Sequence, residues 1–197
     1  EQASLLHTAR RTCLAGVPRC HIISYCDDCA LLEELFTHDG SGTLVANDDY
    51  ERARAATIED VGGILELIEP LEQQGVLLKR SRELLETEIS QFRLLERDGR
   101  IIACAALYPF AQDGCGEIAC IVSHPDYRGG QRGQRLLGEL EREARRQGLD
   151  RVFVLTTQTA HWFIEQGFAE SSRDALPGHK QSLYNLQRNS KVFFKPL

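Results

Sequence analysis

One stretch, residues 116–137, restricts the folds open to this chain more than any other. It reads GEIACIVSHPDYRGGQRGQRLL: an apolar run typical of a buried strand, then a basic, glycine-rich segment, then a helical pattern that starts at Leu136. A helix N-terminus behind a glycine-rich loop favours an anion, because the first helical N–H groups lack acceptors and glycines allow close approach. An ordinary strand–turn–helix with a solvated loop is the alternative that this stretch leaves open.

Length and charge narrow the class of protein. The chain has 197 residues, 42% hydrophobic and 26% charged, which suits one buried domain with a smaller appended part. A net charge of −6 argues against a general nucleic-acid binder. No apolar run approaches the roughly 20 residues needed to span a bilayer, and the first residues do not resemble a signal peptide. We therefore expect a cytoplasmic protein with neither nucleic acid nor membrane as a partner.

The seven cysteines do not predict a disulfide framework or a metal site. An odd number of thiols without a secretion signal favours reduced cysteines. Cys26 and Cys29 have the C-x-x-C spacing of zinc and redox sites, but no second pair of this kind follows. We expect no bound metal, and a role for this pair stays open.

The chain divides near residue 56. Residues 1–46 alternate helix, strand, helix and strand, like the end of an α/β sheet domain, and are too few to bury a core of their own. From Thr57 the pattern predicts helix, helix, hairpin, strand, loop–helix, strand, helix and strand. Asp98-Gly99 is the expected hairpin turn, Ser81 an expected helix cap, and Pro70 is expected to bend or end its helix.

This order resembles the GCN5-related N-acetyltransferase (GNAT) family over about 140 residues. The motifs that carry the resemblance are the strand, loop and helix of residues 116–137 and the later Trp162-Phe163-x-x-x-Gly167-Phe168. In the family pattern Q/R-x-x-G-x-G/A, Arg128 and Gly133 fit, whereas Gln131 stands where the first glycine is usual. The resemblance implies an α/β (α+β) fold with a mixed, mostly antiparallel sheet and flanking helices.

Longer stretches sharpen the resemblance to the bacterial N-acetylglutamate synthases. They are residues 56–86, GEIACIVSHPDYR, VLTT and YNLQRNSKV. That family joins an arginine-binding amino-acid kinase domain to a GNAT domain that acetylates glutamate. The resemblance implies that residues 1–56 are the tail and linker of a kinase-like domain lying mostly outside this chain, and that residues 57–197 are the acetyltransferase. It further implies a homo-oligomer in arginine biosynthesis, with acetyl-CoA and L-glutamate as substrates and arginine as feedback effector.

Acetyl transfer to an amine needs a group that accepts the proton of the amine and hydrogen-bond donors for the carbonyl oxygen of the thioester. It also needs a site that holds the two reactants in line. Glu117 matches the family's catalytic glutamate and is our candidate general base; a solvated strand-end carboxylate is the alternative reading of the residue alone. The resemblance places the oxyanion donor at a backbone N–H near Cys120, whose thiol we do not expect to act as a nucleophile. Tyr184 is the candidate general acid by its place in the chain.

The remaining candidates bind the two substrates. Glutamate carries two carboxylates, which arginine recognises well, although a surface arginine can equally be a solvated charge. The candidates for coenzyme binding are Ile121, Val122, Arg128, Gly129, Gly130, Gln131, Arg132 and Gly133. The candidates for glutamate binding are Lys79, Arg80, Thr156, Arg188 and Ser190.

Two other functions stay open at the level of sequence. The first is a GNAT acetyltransferase for a different amine. The second is a non-catalytic regulatory module that binds acyl-CoA, which would need no base at Glu117.

Overall fold

A computed structural model of the protein describes residues 2–37, 40–47, 51–182, 184 and 190–197. The chain forms two compact units, Glu1–Arg52 and Ala53–Leu197. None of the helices in these described ranges is long and apolar enough to traverse a bilayer.

The first unit confirms the predicted alternation of helices and strands. Its elements are α1 (Gln2–Leu14), β1 (Arg19–Ile22), α2 (Ala30–Phe36) and β2 (Thr43–Ala46). β1 and β2 pair antiparallel, and the thiol of Cys13 in α1 donates to the carbonyl of Val45 at 3.2 Å. Descent from a kinase-like domain stays a prediction.

The second unit is built on a seven-stranded sheet. The strands are β3 (Arg52–Ala55), β4 (Phe92–Arg97), β5 (Arg100–Phe110), β6 (Cys115–Ser123), β7 (Arg151–Thr156), β8 (Ala169–Ser171) and β9 (Lys191–Pro196). The helices are α3 (Val61–Gln73), α4 (Arg82–Glu88), α5 (Arg132–Arg146), α6 (Ala160–Glu165) and α7 (Gly178–Ser182). The strand order is β3-β4-β5-β6-β7-β9-β8.

Local sequence signals account for several element boundaries. Asp98 and Gly99 both have positive φ, 48° and 76°, which is the backbone of a tight hairpin turn between β4 and β5. The Ser81 hydroxyl accepts the Leu84 N–H at 3.2 Å and caps α4, as predicted. Pro70 does not end α3, which runs on to Gln73; the proline lies in its last turn, where few hydrogen bonds remain to be lost.

The sheet opens at its centre, and this opening positions the site. β6 pairs antiparallel with β5 but parallel with β7, and the parallel register covers Cys115, Gly116 and Glu117. β6 continues to Ser123, so its second half has left the register with β7. At Cys120, φ is +52°, and the β5–β6 register shifts by one residue there: a β-bulge turns β6 away from β7.

Helices cover both faces of the sheet and give two cores. Alternate residues of β5 face opposite sides: Ala103 and Ala105 pack in the cluster with α5, whereas Cys104 and Ala106 pack in the cluster with α3. This mixed, mostly antiparallel sheet with helices on both faces confirms the architecture expected from the sequence.

Candidate active site

A cleft of about 420 Å³ lies where β6 leaves β7. Six of the residues predicted from sequence line it: Lys79, Arg80, Glu117, Cys120, Tyr184 and Ser190. They come from distant parts of the chain, so the fold, and not sequence proximity, brings them together. Thr156 is not among the lining residues, and Arg188 lies outside the described residues.

Glu117 occupies the centre of the sheet. It pairs with Tyr108 on β5 and with Phe153 on β7, and the residue is 6% exposed. Its carboxylate contacts the ammonium group of Lys180 in α7, with 2.6 Å between Oε2 and Nζ. A buried carboxylate needs such a partner, because removing a charge from water without one is costly. The alternative of a solvated strand-end carboxylate does not fit this buried, paired side chain.

Cys120 lies at the bulge and is buried. Burial raises the pKa of its thiol to about 11, so the thiol is protonated at neutral pH. Its carbonyl accepts a contact from the thiol of Cys104 at 3.7 Å. A protonated thiol is a poor nucleophile, which supports a backbone role for this position over a covalent one.

Arg80 lines the cleft beside Tyr108 and Glu88. The Tyr108 hydroxyl donates to Oε2 of Glu88 at 2.7 Å. Burial, followed by the hydrogen bond to Glu88, raises the pKa of Tyr108 above its ordinary value. The Arg80 N–H donates to Glu72 at 2.9 Å, and Nη1 donates to the Leu78 carbonyl at 3.1 Å. These contacts hold both the backbone N–H and the guanidinium of Arg80, which is a lining residue of the cleft.

Tyr184 and Ser190 both line the cleft and contact each other. The Tyr184 hydroxyl donates to the Ser190 carbonyl, so its proton points to the backbone. A role for Tyr184 as general acid stays a prediction. The Thr156 hydroxyl, at the end of β7, accepts the N–H groups of Gln158 and Thr159 at 3.3 and 3.1 Å, and so it organises the turn before α6.

The predicted coenzyme loop lies between β6 and α5. α5 begins at Arg132, earlier than the sequence pattern indicated, so Arg132 and Gly133 belong to its first turn. Gln131 adopts φ +57°, a left-handed backbone in which glycine costs least. Gln131 thus has a backbone conformation that a glycine at the family's usual position would adopt at little cost. Gly133 lies against Trp162, whose Cζ2 would be 3.1 Å from an added Cβ.

This loop suits a pyrophosphate. Residues 128–131 are exposed and lead directly into the first turn of a 15-residue helix, where N–H groups and the helix dipole favour an anion. Arg132 is held in place by a hydrogen bond from Nη1 to the Tyr127 carbonyl at 2.7 Å. Ile121 and Val122 follow the bulge, on the part of β6 that has left the register with β7.

Sequence reasoning missed Lys180, Tyr108 and Glu88. Tyr108 could have been predicted from the sequence, because counting residues along β5 from the turn at Asp98-Gly99 places it near the level of Glu117. Lys180 carried no comparable signal: a lysine in the short helix α7 is usually solvated, and tertiary packing brings this one to the cleft.

Three comparisons with known proteins bear on the chain. The model of the acetyltransferase (GNAT) family matches residues 58–168. The chain is 60% identical over 196 residues to an amino-acid acetyltransferase of Ectopseudomonas mendocina (strain ymp), covering 100% of this chain and 45% of that protein. It thus spans about half the length of the curated relatives it matches.

Solved structures agree with this likeness. N-acetylglutamate synthase from Neisseria gonorrhoeae, complexed with coenzyme A and L-arginine, is similar with a TM-score of 0.86 and 41% identity, over 99% of this chain and 44% of that one. The same enzyme complexed with coenzyme A and N-acetyl-glutamate gives a TM-score of 0.73 and 43% identity, over 98% of this chain and 46% of that one. Within the described ranges, no cluster of three or more His, Cys, Asp or Glu is arranged to hold a metal ion.

Proposed function

This chain belongs to the acetyltransferase (GNAT) family, and from that premise we propose that it transfers the acetyl group of acetyl-CoA to the α-amine of L-glutamate. The product would be N-acetylglutamate. The observation that carries the proposal is the buried carboxylate of Glu117 in a cleft that also holds Lys79 and Arg80. The complex of the N. gonorrhoeae enzyme with coenzyme A and N-acetyl-glutamate supports the choice of substrate.

Glu117 accepts the proton of the attacking amine, directly or through a water molecule. Its place in the centre of the sheet fixes the carboxylate, and a base fixed in this way reacts without first being oriented. As the carbonyl oxygen gains charge, a backbone N–H near Cys120 donates to it, since the bulge turns this part of β6 out of the β7 register. The amine attacks the thioester directly, with no acetylated cysteine.

The coenzyme would lie along β6 and against α5. Ile121 and Val122 supply backbone groups for its amide arm, and the loop from Arg128 to Gly133 receives its pyrophosphate. The coenzyme supplies an activated acetyl group, with a thiolate as the leaving group. Tyr184 is the proposed proton donor to that thiolate, from its position on the cleft wall.

The carboxylates of glutamate would be held by the cations of Lys79 and Arg80, with the Ser190 hydroxyl as a further donor; all three residues line the cleft. Arg188 and Thr156 complete the proposed set. Glutamate carries two carboxylates, and each is best bound by a cationic side chain. This requirement explains why the cleft carries several cations in addition to the buried carboxylate of Glu117.

We extend the proposal to the cellular setting on the strength of the relatives. The protein would act in the cytoplasm, in arginine biosynthesis, as a homo-oligomer in the full-length protein. Arginine, which the N. gonorrhoeae enzyme binds, would act as feedback effector through the kinase-like part.

A thiol-release assay tests the substrate assignment. With acetyl-CoA present, L-glutamate should release thiol at least about tenfold faster than aspartate or glutamine, because each of these misplaces or removes one carboxylate. Equal rates with glutamine would point to a different amine as the substrate. No release with any amine would favour a module that binds the coenzyme without turnover.

A further inference from the structure

The contact between Glu117 and Lys180 is more than a surface ion pair. The two side chains are 8% and 21% exposed, and 2.6 Å separates Oε2 from Nζ. Both residues line the cleft. Because the pair is largely buried, dissolved salt screens the attraction between its two charges only weakly. Removal of one partner would leave the other charge buried without compensation.

Two other charged groups of the cleft, Arg80 and Glu88, have partners of their own. Arg80 lies next to the Tyr108–Glu88 hydrogen bond and donates to Leu78. The other titratable groups that line the cleft with Glu117 and Lys180 are Lys79, Arg80, Glu88, Tyr108, Cys120, His179 and Tyr184. Among the recorded ion pairs of the described residues, Lys180 is the partner of Glu117.

α7 holds Lys180 in this place. The side chain of the next residue, Gln181, donates from Nε2 to the Leu176 carbonyl at 2.8 Å and to the Asp174 carbonyl at 3.1 Å. Leu176 is itself buried beside Phe153, the β7 residue that pairs with Glu117. The helix that carries the lysine is thus tied to the strand neighbour of the carboxylate.

We propose that Lys180 is a positioning residue that compensates the buried charge of Glu117 and keeps its carboxylate aimed into the cleft until the substrate amine arrives. This inference rests on the proposed function, in which Glu117 is the base. A general base acts as an anion, and a buried anion is costly unless a cation compensates its charge. Substrate enters as an ammonium ion, the same kind of group as the lysine terminus, and can take over the contact.

The test compares pH profiles of kcat/KM for the wild type, Lys180→Met and Lys180→Arg. Methionine keeps the length of the side chain and removes the charge. We expect the acid limb of Lys180→Met to move up by about 1–3 pH units, so that its rate at low pH falls at least about tenfold and recovers at high pH. Lys180→Arg, which keeps the charge, should restore most of the wild-type profile.

A matched pair in the same protein controls for burial. Lys195 and Glu141 are also 2.6 Å apart and 24% and 11% exposed, but they join β9 to α5 and do not line the cleft. Lys195→Met should lower Tm and leave the pH profile in place. A Lys180→Met profile that superimposes on the wild type would overturn the inference, and so would a loss by the same factor at every pH.

A double-mutant cycle based on Tm tests the coupling between Glu117 and Lys180 without a measurement of activity. Glu117→Gln, Lys180→Met and their combination are compared with the wild type, and the combined loss of Tm should be smaller than the sum by about 2 °C or more. Additive losses would contradict the coupling. If the wild type releases no thiol with any amine, the proposed function fails, while this cycle still decides whether the pair is coupled.

Discussion

Glu117 is the residue on which the proposed chemistry depends. We expect Glu117→Gln to lower kcat by about 10²–10⁴-fold with little change in KM, because an amide of the same size cannot accept the amine proton. Thiol release measured between about pH 6 and 9 checks this.

The control for this variant is Glu141→Gln. Glu141 is buried to a similar degree and contacts a lysine at the same distance, but outside the cleft, so its loss should affect stability and not turnover. Wild-type turnover in Glu117→Gln across the whole pH range would show that another group is the base.

Arg80 is expected to bind a carboxylate of the substrate. Arg80→Ala should raise the KM for glutamate by about 10–100-fold, the value of one charge-assisted hydrogen bond. Arg82→Ala is the control, since Arg82 is exposed and pairs with Glu86 within α4. An unchanged apparent affinity for glutamate in Arg80→Ala would exclude Arg80 from the substrate site.

At the scale of elements, the start of α5 explains the residue that fits the family pattern least well. Gln131 already has the left-handed backbone that glycine adopts freely. Gln131→Gly should therefore raise the free energy of unfolding by up to about 1 kcal/mol. The glycine removes the left-handed strain from the folded state, but it also increases the conformational entropy of the unfolded chain, and the second effect offsets part of the first. Gln131→Val should lower it by about 1–2 kcal/mol.

Urea unfolding measures both changes at the start of α5. The KM for acetyl-CoA should be unchanged in Gln131→Gly, because the backbone that receives the pyrophosphate is the same. A clear loss of stability in Gln131→Gly would mean that the glutamine side chain, and not the backbone, holds the loop.

The junction of β3 and α3 should be sensitive to acid. Asp60 accepts two hydrogen bonds from Arg54 and one from the Thr57 N–H, each at 2.7 Å. The Arg54 guanidinium is the main cause that lowers the pKa of Asp60 to about 2. Because the folded-state pKa lies below the ordinary value of 3.8, this stabilisation is complete above about pH 4 and is lost as the pH falls toward 2.

Asp60→Asn should accordingly lower the free energy of unfolding at neutral pH by about 1–2 kcal/mol, after allowance for partial solvent screening. Its stability should fall less steeply than that of the wild type between about pH 4 and 2. Urea unfolding at several pH values checks this. Parallel acid slopes for the two proteins would contradict a stabilising role for the ionised carboxylate.

At the scale of the whole molecule, local signals in the sequence predicted the elements well. The hairpin turn at Asp98-Gly99 and the cap at Ser81 depend on neighbours within a few residues, and the structure confirms both. Of the two outcomes expected at Pro70, a bend or an end of the helix, the end is wrong, because packing of the apolar stripe of α3 against the sheet continues past this residue.

The site was predicted less completely because it is assembled from distant segments. Glu117, Arg80 and Tyr184 could be named from a family likeness, and the fold places all three in one cleft. The contact of Lys180 with Glu117 depends on how α7 packs, which no local pattern encodes. The parting of β6 from β7 likewise depends on the bulge at Cys120, a backbone conformation that a cysteine rarely adopts.

The central claim is direct transfer of an acetyl group to glutamate, with Glu117 as the base and no acetylated enzyme. A single-turnover experiment with acetyl-CoA isotopically labelled in the acetyl group tests it most directly, with mass spectrometry of both the small molecules and the protein. With L-glutamate, the label should appear in N-acetylglutamate at the rate of thiol release, and Glu117→Gln should slow both together. Thiol release without glutamate, with the label retained on Cys120, or an absence of labelled N-acetylglutamate, would contradict the claim.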